Sequence, residues 1–296
     1  MAAVTTFDTV GQKEDISNII SRITPEKVPF QTEIGTEKIH RPKHEWQEDE
    51  LRAAQKNAKT QAHTYTDSNY TPTVMRDNWT QILSETINIS GTLEATDHYG
   101  RASELAKELG KVAPQLKRDL ELSMVGNAQV KVAPASNATA GEFASYQAQI
   151  DAGNIVKTGG ASTAMTEDNL LDMLTILYNE GADVDTIMVT PADSLVLAGF
   201  ANAAGRTRDI QNKKEIVNTV NLYVSPVGEV AVKLNRFLRA EDTLVYDKAN
   251  WKKLVLRNWF RETLAKVSDS TRIAVTGEFS LKHANYKASG LITKAA

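Results

Sequence analysis

The sequence predicts an α+β fold in which long strands and one long helix form one part and a compact α/β unit forms another. Three observations favour this fold class. Apolar and polar residues alternate over 79–90 and 272–282, which is typical of half-buried strands. Leucines and a valine recur at helical spacing over 101–126. Helical and strand patterns then alternate through 166–257, as in a compact α/β unit.

Residues 1–37 are predicted to form an N-terminal arm. The arm contains one short helical pattern, which consists of Ile16, Ile19, Ile20 and Ile23. Pro25 and Pro29 are expected to end this helix. Because so short a segment has little core of its own, we expect it to lie on another part of the molecule.

Residues 38–91 are predicted to form an extended hairpin loop. The stretch 39–51 is extended, with Trp46 as its one large apolar anchor, and Trp79 begins the alternating stretch 79–90. Between them, residues 52–73 are polar and almost free of large aliphatic side chains. Such a segment cannot bury enough apolar surface to order itself alone, so the tip of the hairpin should be mobile in an isolated subunit.

Residues 92–165 combine the long helix with loops and short strands. The helix, over about 101–126, has an apolar stripe of Leu105, Leu109, Val112, Leu116 and Leu120. Gly110 and Pro114 lie inside it. A proline removes one backbone donor and crowds the preceding turn, so a bend is expected between Lys107 and Pro114.

Residues 166–249 show the α/β alternation. Thr166 is expected to cap a helix whose buried stripe is Leu170, Leu171, Leu174 and Leu177. A buried strand over 186–190 leads into a second helix at Pro191, and a turn over 226–228 predicts a hairpin. Short strands are also predicted over 243–246 and 254–256.

Residues 250–296 are predicted to return to the first part of the fold with a long terminal strand over 272–282. Its alternation places Ile273, Val275, Phe279 and Leu281 on the buried face. The same pattern predicts an exposed face made of Arg272, Thr276, Glu278, Ser280 and Lys282.

Composition excludes several function classes. The formal net charge of −3 argues against a dedicated nucleic-acid-binding protein, and no apolar run is long enough to cross a bilayer. The absence of cysteine excludes disulfides, thiolate metal sites and thiol nucleophiles. His40 and His44 flank Pro42 on an extended stretch, where they would stand about 13 Å apart. Since no phosphate-binding or nucleophile motif occurs either, no catalytic, cofactor or metal residue is predicted.

Five segments in this order resemble parts of the HK97-type major capsid proteins of tailed bacteriophages. They are KHEWQEDEL, SELAKELGKVAPQLKRDLELSMVGN, TIMVTPADSLVLAGF, NLYVSPVGEVAVKLNRF with DTLVYDKANWKKLVLR, and RETLAKVSDSTRIAVTGEFSLKHANYKASGLI. The resemblance spans nearly the whole chain. It implies an N-terminal arm, an extended hairpin loop, a long spine helix, a peripheral β-sheet domain and a compact α/β axial domain.

The resemblance also implies a function and partners. Copies of the chain would form the pentamers and hexamers of an icosahedral shell around double-stranded DNA, with non-specific contact to that DNA. The protein would belong to the virion and assemble in the host bacterial cytoplasm, with separate scaffolding, portal and decoration proteins and no membrane. Candidate inter-subunit contacts are Trp46, Lys56, Lys59 and Trp79 of the hairpin, and Arg206 and Arg208 near the capsomer axis.

Three other functions remain open at this stage. An encapsulin-type compartment shell would share the fold but enclose a protein cargo. An α/β enzyme could be built on 166–257, although no nucleophile–base or metal set supports it. A phage DNA-binding accessory protein is disfavoured by the net charge.

Overall fold

The computed structural model describes residues 27–65, 67, 71–97, 103–135, 138–160, 163–203 and 222–294. The predicted isoleucine helix of the N-terminal arm lies outside this range, and so do Arg206 and Arg208. The helices within the range are α1 (Pro29–Glu33), α2 (Gly91–Glu94), α3 (Glu104–Glu121), α4 (Glu167–Asn179) and α5 (Pro191–Ala203). The strands are β1 (Gly35–Lys38), β2 (Lys43–Glu48), β3 (Val74–Trp79), β4 (Gln81–Ser90), β5 (Ile155–Lys157), β6 (Thr186–Val189), β7 (Leu222–Val224), β8 (Glu229–Leu234), β9 (Asp242–Tyr246), β10 (Trp251–Thr263), β11 (Ser270–His283) and β12 (Ser289–Thr293).

These strands form three sheets. The first has the order β1-β10-β11-β4, with β1 parallel to β10 and the other neighbours antiparallel. The second has the order β5-β12-β9-β6-β8-β7 and mixes parallel with antiparallel pairs. The third is the antiparallel hairpin of β2 and β3. The mixture of sheets and helices confirms the predicted α+β class.

The long helix α3 packs on the four-stranded sheet. Ser103 caps it by accepting the backbone N–H of Ala106, and a π-helical turn over Leu122–Gly126 follows it. The stripe predicted from the sequence is the contact face, in a cluster of Ile87, Ile89, Val112, Leu116 and Val275 with Leu105 and Leu109 at its margin. The alternation of β4 is also confirmed, because Ile87 and Ile89 are buried while Ile82 faces solvent.

The six-stranded sheet contains the predicted α/β unit. Thr166 and Asn169 form a reciprocal capping box at the start of α4, and Gly181 has a φ of +81° just past its end. Strand β6 is buried along its whole length, and β7 and β8 form the predicted hairpin. The buried stripe of α4 differs from the prediction at one position, because Met173 is buried there while Leu171 is half-exposed.

One aromatic core joins the two large sheets. Phe30 of α1 is fully buried there and meets the rings of Tyr146, Tyr246 and Trp251 edge-on, with centroids 5.6–6.0 Å away. The Tyr146 hydroxyl donates to the carbonyl oxygens of Val245 and Gly290. The arm therefore enters the core at α1. Pro29 occupies the first turn of α1, where its missing N–H costs nothing, and the isoleucine helix that Pro25 and Pro29 are expected to end lies outside the described residues.

The hairpin includes fewer residues than the predicted range 38–91. Strand β2 pairs with β3, whereas 81–90 pairs with β11 in the four-stranded sheet. The segments 155–157 and 289–293, which the sequence groups with that sheet, instead extend the six-stranded sheet through β9. Short apolar strands carry no signal that selects one sheet over another, so only tertiary pairing decides between them.

The terminal strand departs from the predicted alternation at one end. Ile273, Val275, Phe279 and Leu281 are buried as predicted, but Glu278 and Ser280 are buried as well. The reason is that both side chains bond to the base of the hairpin, Glu278 to the Thr80 hydroxyl and Ser280 to the Trp79 carbonyl. Asn78 of the hairpin also donates to the Leu281 carbonyl at 2.6 Å, so the hairpin base contacts this end of β11.

Candidate functional site

The base of the β2–β3 hairpin is held firmly on the rest of the chain. Asn78 is fully buried, donates to the carbonyl of Leu281 and accepts the backbone N–H of Ala144 at 2.8 Å. The hydroxyl of Ser280 donates to the carbonyl of Trp79 at 2.6 Å. A buried amide that satisfies backbone groups of two other segments fixes the direction in which the hairpin leaves the body.

Charged side chains strengthen the same attachment. Lys131 pairs with Asp77 at 2.7 Å, and Lys287 pairs with Glu50 at 2.8 Å. The guanidinium of Arg76 lies 3.9 Å from the centre of the Tyr286 ring. Partly exposed contacts of this kind contribute about 0–1 kcal/mol each, so their main effect is to orient the hairpin.

Beyond this base the hairpin tip is exposed. Every described residue between Asp49 and Met75 faces solvent, and none between Asp49 and Thr73 belongs to a strand or helix. The tip also presents large apolar side chains, since Leu51 is 93% and Tyr65 is 90% exposed. Such side chains reach a favourable environment only when another surface covers them.

The two tryptophans predicted as contacts lie at the base of the hairpin. The Trp46 indole N–H donates to Glu48 at 3.2 Å, and its ring stacks on His44 with centroids 5.9 Å apart. Burial and the charge of Lys282 lower the pKa of His44 below its ordinary value. Trp46 and Trp79 both remain half-exposed, so each contacts its own chain while leaving surface free.

The remaining predicted site residues have different outcomes. Lys56 and Lys59 are exposed on the tip. Gly110 and Pro114 lie inside α3, which continues as a helix through both. Arg206 and Arg208 lie outside the described residues. The sequence did not point to Asn78, because a single asparagine in a polar stretch carries no signal that it will be buried.

Two buried titratable groups, His283 and Glu121, lie at the aromatic core. His283 is fully buried, stacks on Trp251 with centroids 4.0 Å apart and bonds to the hydroxyl of Ser289 at 2.9 Å. Burial lowers its pKa from 6.5 to about 3, so the imidazole is neutral. Burial also raises the pKa of Glu121, although backbone N–H groups of Phe30 and Gln31 bind its carboxylate. These groups join structural elements and have no access to a substrate.

Two observations bear on other kinds of site. Within the described ranges, no group of three or more histidine or acidic side chains is arranged to hold a metal ion. No helix in the same part of the chain is long and apolar enough to span a membrane. The feature that distinguishes this surface is therefore the firmly based, exposed hairpin.

Two comparisons of the sequence with known proteins point to the same protein family. The sequence model of the SU10 major capsid protein family matches residues 3–296. The major capsid protein of Escherichia phage Phieco32 is 29% identical over 338 positions, which cover 98% of this chain and 96% of that protein.

Solved structures extend the comparison to the fold. The capsid of Cyanophage P-SCSP1u gives a TM-score of 0.66 at 11% identity, over 96% of this chain and 93% of that one. Gordonia phage Cozz gives 0.66 at 13% identity, over 96% and 92%. The holo-SrpI encapsulin complex of Synechococcus elongatus gives 0.62 at 8% identity, over 93% and 92%. Identities this low speak for the fold alone.

Proposed function

The chain belongs to the SU10 major capsid protein family, and from that premise we propose how its copies build a shell. It is a phage major capsid protein with the HK97-type fold, a structural component of the virion rather than an enzyme. We propose that its copies form pentamers and hexamers of an icosahedral shell around double-stranded DNA. The observation that carries the proposal is the exposed hairpin tip on a fixed base.

The physical argument concerns the cost of ordering the tip. Fixing a residue costs about 1–2 kcal/mol of conformational free energy, and the described tip residues are exposed within their own subunit. A neighbouring subunit can offset this cost by covering Leu51, Tyr65, Val74 and Met75, at about 25 cal/mol per Å² of apolar area. The firm base at Asn78 limits the directions in which the tip must search, which lowers the entropy lost on contact.

Several residues are proposed to meet neighbouring subunits. Lys56 and Lys59 can pair with carboxylates because both are exposed. Trp46 and Trp79 can contribute only the parts of their rings that their own chain leaves free. Arg206 and Arg208 remain candidates for contacts around the capsomer axis, on the family resemblance.

The domain assignment is likewise a proposal. The four-stranded sheet with α3 corresponds to the peripheral domain, and the six-stranded sheet with α4 and α5 to the axial domain. The predicted boundaries at 92–165, 166–249 and 250–296 support this division, with β5 and β12 assigned to the axial sheet by their pairing. The shared aromatic core around Phe30 supports treating the two as closely joined.

Partners and place of assembly rest on the family resemblance. We propose separate scaffolding, portal and decoration proteins, non-specific contact with packaged DNA, and assembly in the host bacterial cytoplasm. An encapsulin-type compartment is the second candidate, because an encapsulin shares the fold. Its identity of 8% supports the fold alone, whereas the family match covers 3–296. The contents of purified shells separate the two: DNA is expected, and a protein cargo without DNA would favour the compartment.

The experiment for the hairpin replaces residues 52–73 with an Asn-Gly turn. The monomer should keep its melting curve by circular dichroism, because the described residues among those removed are exposed in the subunit. Closed shells counted by negative stain should fall sharply. A control variant carries a Gly/Ser segment of the original length, which keeps the reach but removes the side chains. Normal shell yield from the shortened variant would contradict the proposal.

The long helix is proposed to bend between Lys107 and Pro114. Pro114 cannot donate to the carbonyl of Gly110, and Gly110 adds no side chain that would stiffen this turn. The bend angle could then differ between pentamer and hexamer subunits. A density map with an equally straight α3 in every subunit would contradict this, and Pro114→Ala is the variant expected to straighten it.

A further inference from the structure

A cleft of about 640 Å³ lies between the spine helix and one edge of the four-stranded sheet. Lysines from three elements line it: Lys38 of β1, Lys117 of α3 and Lys253 of β10. Its apolar lining includes Trp259 and Phe279, whose ring centroids are 4.6 Å apart. The cleft is separate from the hairpin and has no part in the shell contacts proposed above.

Strand register explains why these lysines share one face. Lys253 is level with Thr36, and Lys38 is level with Val255, which in turn is level with Phe279. Residues level with each other in a sheet project to the same side, so the two strand lysines face α3 together with the aromatic lining. The opposite side carries Glu37, which pairs with Lys252 at 3.5 Å and Lys282 at 3.4 Å. The nearby acid is therefore on the wrong face to neutralise the cleft.

The three cleft lysines lack anionic partners within the chain as far as it is described. None of them forms an ion pair there, whereas Lys111, further up the same helix, pairs with Glu108 at 2.5 Å. The carboxylate whose charge acts on Lys253 is that of Glu121. It already accepts hydrogen bonds from the backbone N–H groups of Phe30 and Gln31 and from the Asn235 amide. Burial and the charge of Lys117 lower the pKa of Lys253, and the charge of Glu121 opposes this shift without reversing it.

The edge of the sheet offers a second kind of contact. Strand β1 pairs with β10 on one side, and its other edge has no strand partner among the described residues. Such an edge presents backbone N–H and C=O groups that an extended peptide can pair with. The free edge of β1, the three lysines and the aromatic lining therefore all border the same cleft.

We propose that this cleft binds an extended acidic peptide segment of a separate protein, with carboxylates on the three lysines and an apolar side chain against Trp259 and Phe279. The hairpin tip of a second copy fits poorly, because its charges include Arg52, Lys56 and Lys59. A nucleic acid fits less well than a peptide. It requires a broad basic face, whereas this chain has a net charge of −3 and the three lysines of the cleft share its lining with Val255, Leu256, Trp259 and Phe279.

The test is a binding assay with the full-length subunit, kept below its assembly concentration. The probe is a short fluorescein-labelled peptide, rich in glutamate and with one central phenylalanine, followed by fluorescence anisotropy. Lys117→Gln and Lys253→Gln should each weaken binding about five- to tenfold. The matched control is Lys111→Gln, which lies on the same helix outside the cleft and should change binding less than about twofold.

Each alternative occupant has its own result. Equal binding by all three variants and the wild type would overturn the proposal as non-specific attraction. A labelled DNA duplex that bound more tightly than the peptide, with the same dependence on Lys117, would overturn it in favour of nucleic acid. Loss of peptide binding as subunit concentration rises would overturn it in favour of a second copy. Lys117 is exposed, so its variant should melt like wild type and carries the test if Lys253→Gln fails to fold.

Discussion

Replacing Glu278 with alanine tests whether this side chain faces solvent, as the sequence pattern predicts, or is buried, as in the structure. Alternation along the terminal strand predicts an outward Glu278, whose removal would cost under about 0.5 kcal/mol. In the structure Glu278 is 7% exposed. One carboxylate oxygen accepts from the Thr80 hydroxyl at 2.6 Å, and the other accepts from the Arg257 guanidinium at 2.8 Å.

The expected cost follows from these two contacts. The bond from Thr80 is buried and ends on a charged group, so its loss should cost about 1.5–3 kcal/mol. The Arg257 side chain is 48% exposed, so water screens that pair and its share is about 0–1 kcal/mol. Glu278→Ala should therefore reduce the free energy of unfolding by about 1.5–4 kcal/mol. Glu278→Gln keeps an acceptor for Thr80 and should cost about half as much.

The assay is urea unfolding of the purified subunit, with Glu262→Ala as the matched control. Glu262 lies on the neighbouring strand β10 of the same sheet but is exposed, so its removal should cost under about 0.5 kcal/mol. If Glu278→Ala and Glu262→Ala cost the same, then Glu278 faces solvent and the arrangement at this end of β11 is wrong.

Three further predictions concern the core and the requirements of assembly. Phe279 is only 2% exposed, so Phe279→Ala should lower the free energy of unfolding in urea by about 3–5 kcal/mol. A decrease under about 1 kcal/mol would place the ring outside the core. The pKa of His283 falls from 6.5 to about 3 on folding, so the unfolded chain takes up the proton first. Stability should therefore decline as pH drops from about 6.5 towards 3, by about 2 kcal/mol at pH 5, and His283→Gln should flatten this pH profile relative to wild type. Identical profiles would contradict the burial of the imidazole. Shell assembly should continue in the presence of a chelator, and a loss that one added metal reverses would contradict the absence of a metal requirement.

Much of the fold could be predicted from the sequence because its elements carry strong periodic patterns. The stripe of α3 and the alternation of β4 survive in the structure because each element has one buried face and one exposed face. The cap at Thr166 and the cap at Thr190 followed by Pro191 are local signals and needed no tertiary information. The order of these parts was also sufficient to suggest the capsid family, which the match over 3–296 confirms.

The sequence could not predict which elements share a sheet. Strand β12 reads as one more apolar stretch, and only its pairing with β9 places it in the six-stranded sheet. The alternation of apolar and polar residues indicates whether one or both faces of a strand are buried. It does so only where the element that covers a face runs along the whole strand. At Glu278 the covering element is the hairpin base, which meets β11 only near one end.

What the sequence by itself determined was therefore the type, length and buried face of most elements, together with the polar character of the hairpin tip. The tertiary structure decided the rest, from the burial of Asn78 beneath the hairpin to the meeting of Lys38, Lys117 and Lys253 in one cleft. Each of these depends on residues far apart in the chain, such as positions 78 and 281. Local patterns indicate which face of a segment is exposed to water and which is buried. They contain no information on which distant segment packs against the buried face.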